Sequence, residues 1–230
     1  TVLFVAVMCY VILMLFKYLS KKKEEKPETG GIKNIIFDVG QVLVDYDWET
    51  YLDSFGFEPA KRERIAKATF QSPVWDERDR GLYEEDVYLK QFQELDPEDA
   101  EDIEKVIRGT GGTIHKRPYA DTWVKYLKSK GYHLYILSNY ASYMIDHTKK
   151  ELTFRKEMDG EVFSCYVNQL KPEPEIYQTI LDKYQLKPEE SVFIDDRPEN
   201  CQGAQKQGIH TICFGDFKQV AADLEKLGVK

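Results

Sequence analysis

The stretch that decides the fold is a short apolar run that ends in an acidic residue. It reads Ile32-Lys33-Asn34-Ile35-Ile36-Phe37-Asp38, and Val39-Gly40-Gln41-Val42-Leu43 follow it directly. A short run rich in isoleucine and followed by a glycine-containing turn is typical of a buried β-strand. An aspartate at such a strand end either caps the following loop or faces a ligand. Asp38 is therefore the first candidate functional residue.

Similar apolar runs alternate with helical periods over most of the remaining chain. Further strands are expected at 132–137, 162–167, 191–195 and 209–214, and helices at 118–130, from 141, at 174–184, 198–207 and 217–227. This alternation predicts an α/β fold, a Rossmann-like doubly wound parallel sheet with helices on both faces.

One long segment interrupts the alternation. Residues 48–114 carry many charges and show helical periodicity, with helices expected at 49–55, 59–70, 83–95 and 97–107. An insert at this point would lie over the carboxyl ends of the strands, where open parallel sheets bind ligands. The predicted organisation is an anchor at 1–19, a charged linker at 20–31, a core domain formed by 32–47 and 115–230, and a helical cap insert at 48–114.

The amino-terminal residues have the composition of a membrane anchor. About 18 nearly continuous apolar residues, interrupted at Lys17, precede the lysines at 21, 22, 23 and 26, and about that length is the lower limit for a transmembrane helix. The positive charges on the carboxyl side predict a single-pass membrane protein with a cytoplasmic catalytic domain. A helix packed on the domain is the alternative.

Net charge and cysteine content exclude several other classes. The formal net charge of −8 argues against a nucleic acid as partner. The four cysteines form no closely spaced pair, so neither a disulfide framework nor a structural zinc site is expected. An acidic surface remains compatible with a small phosphorylated substrate, because a bound metal can neutralise the site locally.

Three further polar segments lie where a strand ends or a helix begins. They are Ser138-Asn139, Lys171-Pro172 and Asp195-Asp196. Taken alone, a serine, an asparagine or a lysine there is common in turns and helix caps. Two adjacent carboxylates after an apolar strand are more informative, because they are costly unless a cation pairs with them. Mg²⁺ and a salt bridge with Arg197 are the two explanations.

Together with Asp38, these segments resemble the four motifs of the haloacid dehalogenase-like (HAD) superfamily, over about Ile32 to Phe214. The resemblance implies a helical cap after the first motif and a magnesium-dependent phosphatase. It makes Asp38 the nucleophile, Lys171 a catalytic and phosphate-binding cation, and Ser138 and Asn139 phosphate ligands. The metal site that it implies consists of Asp38, the Gly40 carbonyl and Asp196, with Asp195 acting through water and Asn200 as the partner of Asp196.

Gly40 departs from the usual pattern. Most phosphatases of the superfamily have an aspartate there, which protonates the leaving group. Through the segments Gln41 to Asp47, Trp75 to Gly81 and Asp195-Asp196, the chain resembles a branch that includes bacterial glucose-1-phosphate phosphatases. Members of that branch share this glycine, so the enzyme is not expected to be inactive. Asp45 or Asp47 is either a substitute carboxylate or a solvated loop residue. Two cap arginines, Arg78 and Arg80, either contact the substrate or are solvated helix charges.

The expected function is therefore hydrolysis of a small phosphorylated metabolite, such as a sugar phosphate, through an aspartyl-phosphate intermediate. A haloacid dehalogenase uses the same nucleophile but no metal, which disagrees with the paired aspartates. A non-catalytic binding protein that kept the fold is the other alternative, since the usual acid is missing.

Overall fold

A computed structural model describes residues 31–230 of the chain. It contains seven strands within these residues: β1 (Asn34–Phe37), β2 (Val44–Tyr46), β3 (Ile114–Lys116), β4 (His133–Ser138), β5 (Gly160–Phe163), β6 (Ser191–Asp195) and β7 (His210–Cys213). Five of them form a parallel sheet in the order β5-β4-β1-β6-β7. In the centre, Asn34 of β1 lies opposite His133 of β4 and Ser191 of β6. Strands β2 and β3 form a separate antiparallel pair.

Eleven α-helices connect or flank these strands in the described part of the chain. They are α1 (Trp48–Asp53), α2 (Pro59–Ala68), α3 (Pro73–Arg80), α4 (Glu85–Leu95), α5 (Ala100–Arg108), α6 (Ala120–Ser129), α7 (Ser142–His147), α8 (Ser164–Val167), α9 (Pro174–Tyr184), α10 (Pro198–Lys206) and α11 (Phe217–Lys226). The first five lie between β2 and β3, and we call them the helical insert. The predicted α/β architecture with a parallel sheet is confirmed.

The apolar run of β1 is buried on both faces of the sheet. Ile35 and Phe37 pack with residues of α6 and α11, whereas Ile36 packs with residues of α9 and α10 on the opposite face. Successive side chains of a strand point to opposite faces, so a strand that helices cover on both sides is apolar along most of its length. This double burial holds the end of β1, and Asp38 with it, at the centre of the sheet's carboxyl edge.

The helical insert has a hydrophobic core of its own. Aromatic rings dominate this core, with Trp48 stacked on Phe70 at 5.2 Å and Phe70 against Trp75 at 4.9 Å between ring centroids. Charged residues cover its outside and pair with one another, as in the contact between Lys67 Nζ and Glu63 Oε1 at 2.7 Å. Surface pairs of this kind add little stability, so the aromatic packing is what holds the insert together.

Two sequence predictions differ from the structure. The apolar run at 162–167 is not one strand, because β5 ends at Phe163 and the short helix α8 begins at Ser164. Helix α3 was not predicted at all. Its eight residues carry five charges, and so few apolar positions give no clear helical period. The division into the cap 48–114 and the core stays a prediction.

The predicted localisation, a single-pass membrane protein with a cytoplasmic catalytic domain, is corrected by the structure. Among residues 31–230, no helix is both long and apolar enough to cross a bilayer. The longest helices there have 11 residues, whereas a transmembrane helix needs about 20. The anchor predicted at 1–19 and nearly all of the linker predicted at 20–31 lie outside the described residues.

Candidate active site

A cavity of about 320 Å³ lies at the carboxyl edge of the sheet, beneath the helical insert. Its floor is formed by residues that follow strands or begin helices of the sheet layer: Asp38, Gly40, Asn139, Lys171, Asp196 and Asn200. Its roof comes largely from the insert: Phe70, Trp75, Asp76 and Asp79. The segments that sequence analysis singled out separately therefore meet at one place.

The floor is built around an ion pair between Asp38 and Lys171. Lys171 Nζ lies 2.9 Å from Asp38 Oδ1, and both side chains are almost fully buried. Asp38 Oδ1 also accepts a hydrogen bond from the Val39 backbone N–H at 2.7 Å, which fixes the carboxylate in the turn after β1. Burial raises the pKa of Asp38 to about 7 against the opposing charge of Lys171. The carboxylate is thus poorly solvated and depends on cations for its charge.

Lys171 is held in place from two further directions. Its ammonium donates to Asp195 Oδ2 at 2.7 Å, and its backbone N–H and carbonyl form two hydrogen bonds with the Asn139 side-chain amide, at 2.8 and 3.0 Å. Burial opposes the charge of Lys171, but the Asp195 and Asp38 carboxylates outweigh it and raise the pKa of the ammonium. Lys171 is therefore a fixed positive charge beside Asp38.

The Ser138 and Asn139 side chains lie at the carboxyl end of β4, but they differ in their contacts. Ser138 is buried near Asp38, and its hydroxyl acts to lower the pKa of that carboxyl against the larger effect of burial. The Asn139 amide, which was expected to face a phosphoryl group, is engaged with the backbone of Lys171. In this arrangement Asn139 fixes the lysine loop, and its role as a phosphate ligand stays a prediction.

Asp195 and Asp196 are adjacent but have different surroundings. Asp195 is fully buried and accepts hydrogen bonds from Lys171, from the Asn200 amide at 3.0 and 3.1 Å, and from the Arg197 backbone N–H at 2.8 Å. These donors use most of its acceptor capacity. Asp196 faces the cavity, and burial together with the charge of Asp195 raises its pKa. Asp196 is thus the carboxylate of this pair with room for a cation.

The residues on the floor fit a divalent cation. One oxygen from each of Asp38, Asp195 and Asp196 lies within 4.8 Å of the others, and the ammonium of Lys171 alone cannot balance three carboxylates. Among the described residues, Asn200 Oδ1 is buried without a hydrogen-bond partner, and Asn200 lines the cavity. A set of carboxylate and amide oxygens, without sulfur or imidazole, favours Mg²⁺ over zinc or copper.

The turn after Asp38 leaves open space at the position of the missing acid. A Cβ built on Gly40 would have no atom within 4 Å. The next residue, Gln41, has a positive φ of 56°, which is uncommon for a residue other than glycine. Its side chain is fixed by hydrogen bonds to the Tyr46 carbonyl at 2.9 Å and from Arg117 at 3.1 Å. Glycine at position 40 is therefore not required by crowding.

The carboxylates proposed as substitutes for the missing acid lie elsewhere. Asp45 pairs with Arg117 at 3.0 Å, and Asp47 accepts the Thr50 N–H at 3.0 Å as the N-cap of α1. Neither lines the cavity. The structure instead brings Asp79 of α3 into the roof, a residue that sequence analysis missed because helix α3 was not predicted. The only signal was the Trp75 to Gly81 segment, which contributed to the family resemblance.

The two arginines of α3 do not line the cavity, and each is paired with a carboxylate. Arg78 is 1% exposed, donates to both Glu85 oxygens at 2.7 and 3.0 Å, and lies 5.1 Å from the Trp75 ring. Arg80 forms a bidentate pair with Glu173 of the sheet layer, at 2.7 and 3.0 Å. Both arginines therefore hold α3 in position.

Several known proteins are similar to this chain. Bifunctional epoxide hydrolase 2 of Rattus norvegicus is 34% identical over 107 residues, which are 44% of this chain and only 19% of that protein. D-ribitol-5-phosphate phosphatase of Bacteroides thetaiotaomicron is 26% identical over 191 residues, 78% of this chain and 90% of the phosphatase.

Among solved structures, a HAD family enzyme from Bacteroides thetaiotaomicron in complex with magnesium and inorganic phosphate has the same fold. It has a TM-score of 0.65 and 22% identity, and the match covers 83% of this chain and 99% of that enzyme. The family model described as haloacid dehalogenase-like hydrolase matches residues 32–208, well over half of the sequence. This match confirms the resemblance seen in the motifs, and the chain belongs to the haloacid dehalogenase-like hydrolase family.

Proposed function

We propose that this protein is a magnesium-dependent phosphatase that hydrolyses a small phosphorylated metabolite through an aspartyl-phosphate on Asp38. The observation that carries the proposal is the buried Asp38 carboxylate, 2.9 Å from the Lys171 ammonium on the floor of the cavity. The relative named D-ribitol-5-phosphate phosphatase supports the reaction class, since its match spans most of both chains.

In the first step, an Asp38 oxygen attacks phosphorus, and the bond from phosphorus to the ester oxygen breaks. Water then attacks the aspartyl-phosphate and releases inorganic phosphate, which regenerates Asp38. Lys171 is fixed by Asp195 and Asn139, so its charge faces the transferring group without reorganisation. Ser138 lies close enough to the carboxylate to orient it.

Asp38, Asp196 and the Gly40 carbonyl would hold the magnesium ion, with Asp195 acting through water because protein donors already surround it. When bound, Mg²⁺ would neutralise charge on the phosphoryl oxygens. The floor has an excess of negative charge that would otherwise repel a phosphate ester, so the protein alone is poorly suited to bind one.

The size and lining of the cavity favour a small substrate. About 320 Å³ lies near the lower end of the range for ligand pockets. Phe70, Trp75 and Met144 supply apolar surface, and Asn139 and Arg197 supply polar atoms. A compact metabolite such as a sugar phosphate matches this mixture.

The test is a panel of phosphate esters with the purified protein, in magnesium and in excess chelator, beside Asp38→Asn. We expect phosphate release that requires magnesium and falls at least about 10⁴-fold in the variant. Rapid acid quenching and mass spectrometry should locate a phosphoryl group on the peptide that contains Asp38. Equal release by wild type and variant would contradict the proposal.

The same experiment distinguishes the two alternatives. Magnesium-independent release of halide from a 2-haloacid would identify a dehalogenase. A folded wild-type protein that releases phosphate from no ester, and halide from no haloacid, would point to a non-catalytic binding protein.

A further inference from the structure

We propose that Asp79 of the helical insert is the general acid and base of this enzyme, in place of the aspartate that Gly40 replaces. The inference rests on the proposed phosphatase activity and deepens it. Asp79 would donate its proton to the leaving-group oxygen when Asp38 attacks phosphorus. It would then accept a proton from the water that hydrolyses the aspartyl-phosphate.

Asp79 lies on the side of the cavity that a leaving group would face. Asp79 lines the same cavity as Asp38 but belongs to the roof, whereas Asp38 belongs to the floor. The charge of Asp38 raises the pKa of Asp79, so the two carboxyl groups act on each other across this space. A phosphoryl group bound at Asp38 directs its ester oxygen away from the nucleophile for in-line displacement. That direction leads from the floor toward the roof.

The end of α3 that carries Asp79 is fixed on the sheet layer. The Ser164 hydroxyl donates to the Asp79 carbonyl at 2.5 Å, and the Asn168 amide donates to the carbonyls of Arg80 and Gly81 at 3.1 and 3.0 Å. The bidentate pair of Arg80 with Glu173 adds a charged contact. Asp79 is therefore positioned by contacts that a simple roof helix would not need.

Gly81 explains how α3 can approach so closely. It ends the helix in the left-handed conformation, with φ 74°, and a Cβ at this position would lie 2.7 Å from the Cα of Cys165. Only glycine combines that backbone conformation with that contact. The close contact holds the last turn of α3, with Asp79, against helix α8.

The other titratable side chains that line the cavity are poorly suited to transfer a proton to the leaving group. Lys171 is committed to two carboxylates, and Arg197 stays protonated and pairs with Glu199. Burial raises the pKa of Tyr46 well above 10, so its phenol keeps its proton and is a weak general acid. Asp76 is exposed. Within the described lining, Asp79 is the carboxyl group that remains once Asp38 and Asp196 have their roles.

The protonation state of Asp79 suits the role. Burial raises its pKa to about 7 against the charge of Arg78, and an acid that must later act as a base works best near the operating pH. The titratable groups around it come from five elements or loops: Asp76 and Arg78 on α3, Asp38 after β1, Tyr46 on β2, Tyr140 after β4 and Cys165 on α8.

The test compares two esters whose leaving groups differ in their need for a proton. A p-nitrophenolate can leave without being protonated. An alkoxide, as from glycerol phosphate, must receive a proton as it leaves. We expect Asp79→Asn to lower kcat on the alkyl ester about 10²–10⁴-fold and on the aryl ester less than about tenfold. The alkaline fall of kcat near pH 7 should also disappear for the alkyl ester.

Two further variants separate proton transfer from structure. A Cβ at position 40 would have no atom within 4 Å, so adding Gly40→Asp to Asp79→Asn should restore alkyl ester hydrolysis selectively. Asp76→Asn should keep the rate ratio of the two esters but shift the alkaline fall to lower pH, because the charge of Asp76 raises the pKa of Asp79.

An equal loss on both esters in Asp79→Asn, or no loss on either, would overturn the assignment. Failure of the phosphatase proposal has a different result: wild type would then release phosphate from neither ester. The assignment is therefore tested only after wild type is active on p-nitrophenyl phosphate and Asp38→Asn is not.

Discussion

The floor and the roof of the cavity are built by different means. On the floor, Asp38, Lys171 and Asp195 form a buried network in which every charged group contacts its partner at 2.9 Å or less. The roof is a helix held by partly exposed ion pairs and by hydrogen bonds to backbone carbonyls. The floor tolerates little change because the charges of Asp38, Lys171 and Asp195 are almost fully buried, whereas the roof can be altered in steps. In the proposed mechanism, this difference separates the attack on phosphorus from the protonation of the leaving group.

The largest effect is expected from Lys171→Met, which attacks the floor. The change leaves two buried carboxylates without their cation, which typically costs about 3–5 kcal/mol of unfolding free energy. Urea denaturation at pH 8 measures this loss, and phosphate release should fall by about 10²–10³-fold. The stability loss should shrink as the pH falls toward 7, because the pKa of Asp38, about 7 beside Lys171, rises further without that cation and the carboxyl of the variant then takes up a proton.

The matched control for that change is Lys67→Met. Lys67 is 65% exposed and pairs with an exposed glutamate, so its removal should leave both stability and activity nearly unchanged. A Lys171→Met protein as stable as wild type at pH 8 would show that the floor is not an ion network, and the comparison with the roof would lose its basis.

A smaller effect is expected from Arg80→Gln, which loosens the roof. Arg80 and Glu173 are 21% and 38% exposed, so solvent screening limits the stability loss to about 1 kcal/mol. The displaced α3 should nevertheless lower kcat on alkyl esters by about tenfold, since small displacements of a reacting group are costly. Aryl esters should respond less. The measurement is the rate ratio of the two esters.

Arg108→Gln provides the control for the roof. Arg108 pairs with Glu104 on α5 and with Asp86 on α4, within the same insert but away from the cavity lining. The ester ratio should not change. If Arg108→Gln altered the ratio as much as Arg80→Gln, the contact with Glu173 would have no special part in placing Asp79.

The residues of the floor could be identified from the sequence, whereas those of the roof could not, for physical reasons. Asp38, Lys171 and Asp195-Asp196 each follow a clear apolar strand or precede a helix, and parallel strands bring their carboxyl ends to one edge. Helix α3 has no such signal. Its Arg78 is 1% exposed only because Glu85 and the Trp75 ring receive it, which is a tertiary contact.

The same limit explains the fate of the other candidate carboxylates. Asp45 and Asp47 are close to Asp38 in sequence, which made them natural substitutes for the missing acid. The chain turns away at β2, so Asp45 meets Arg117 and Asp47 begins α1. Asp79, 41 residues from Asp38 along the chain, does line the cavity. Distance in sequence is a poor guide wherever an insert interrupts a sheet.

The smallest effect is expected from Asp47→Ala, which tests the boundary between floor and roof. Asp47 accepts the Thr50 N–H, and its pKa is lowered first by hydrogen bonds to Thr50. A lowered pKa means that the stabilisation is present above the ordinary aspartate range and is lost as the pH falls through it. Loss of this N-cap should lower Tm by roughly 2–4 °C at pH 7. The difference from wild type should shrink as the pH falls through and below the ordinary aspartate range.

Activity separates Asp47 from Asp79. Because Asp47 does not line the cavity, its removal should leave the ratio of alkyl to aryl ester hydrolysis unchanged, even where Tm is lower. Asp47→Asn is the matched variant, since an amide oxygen can still cap α1. Selective loss of alkyl ester hydrolysis in both Asp47 variants would transfer the role of the acid from the roof to the start of the insert. The division between a floor for phosphoryl chemistry and a roof for the leaving group would then be wrong.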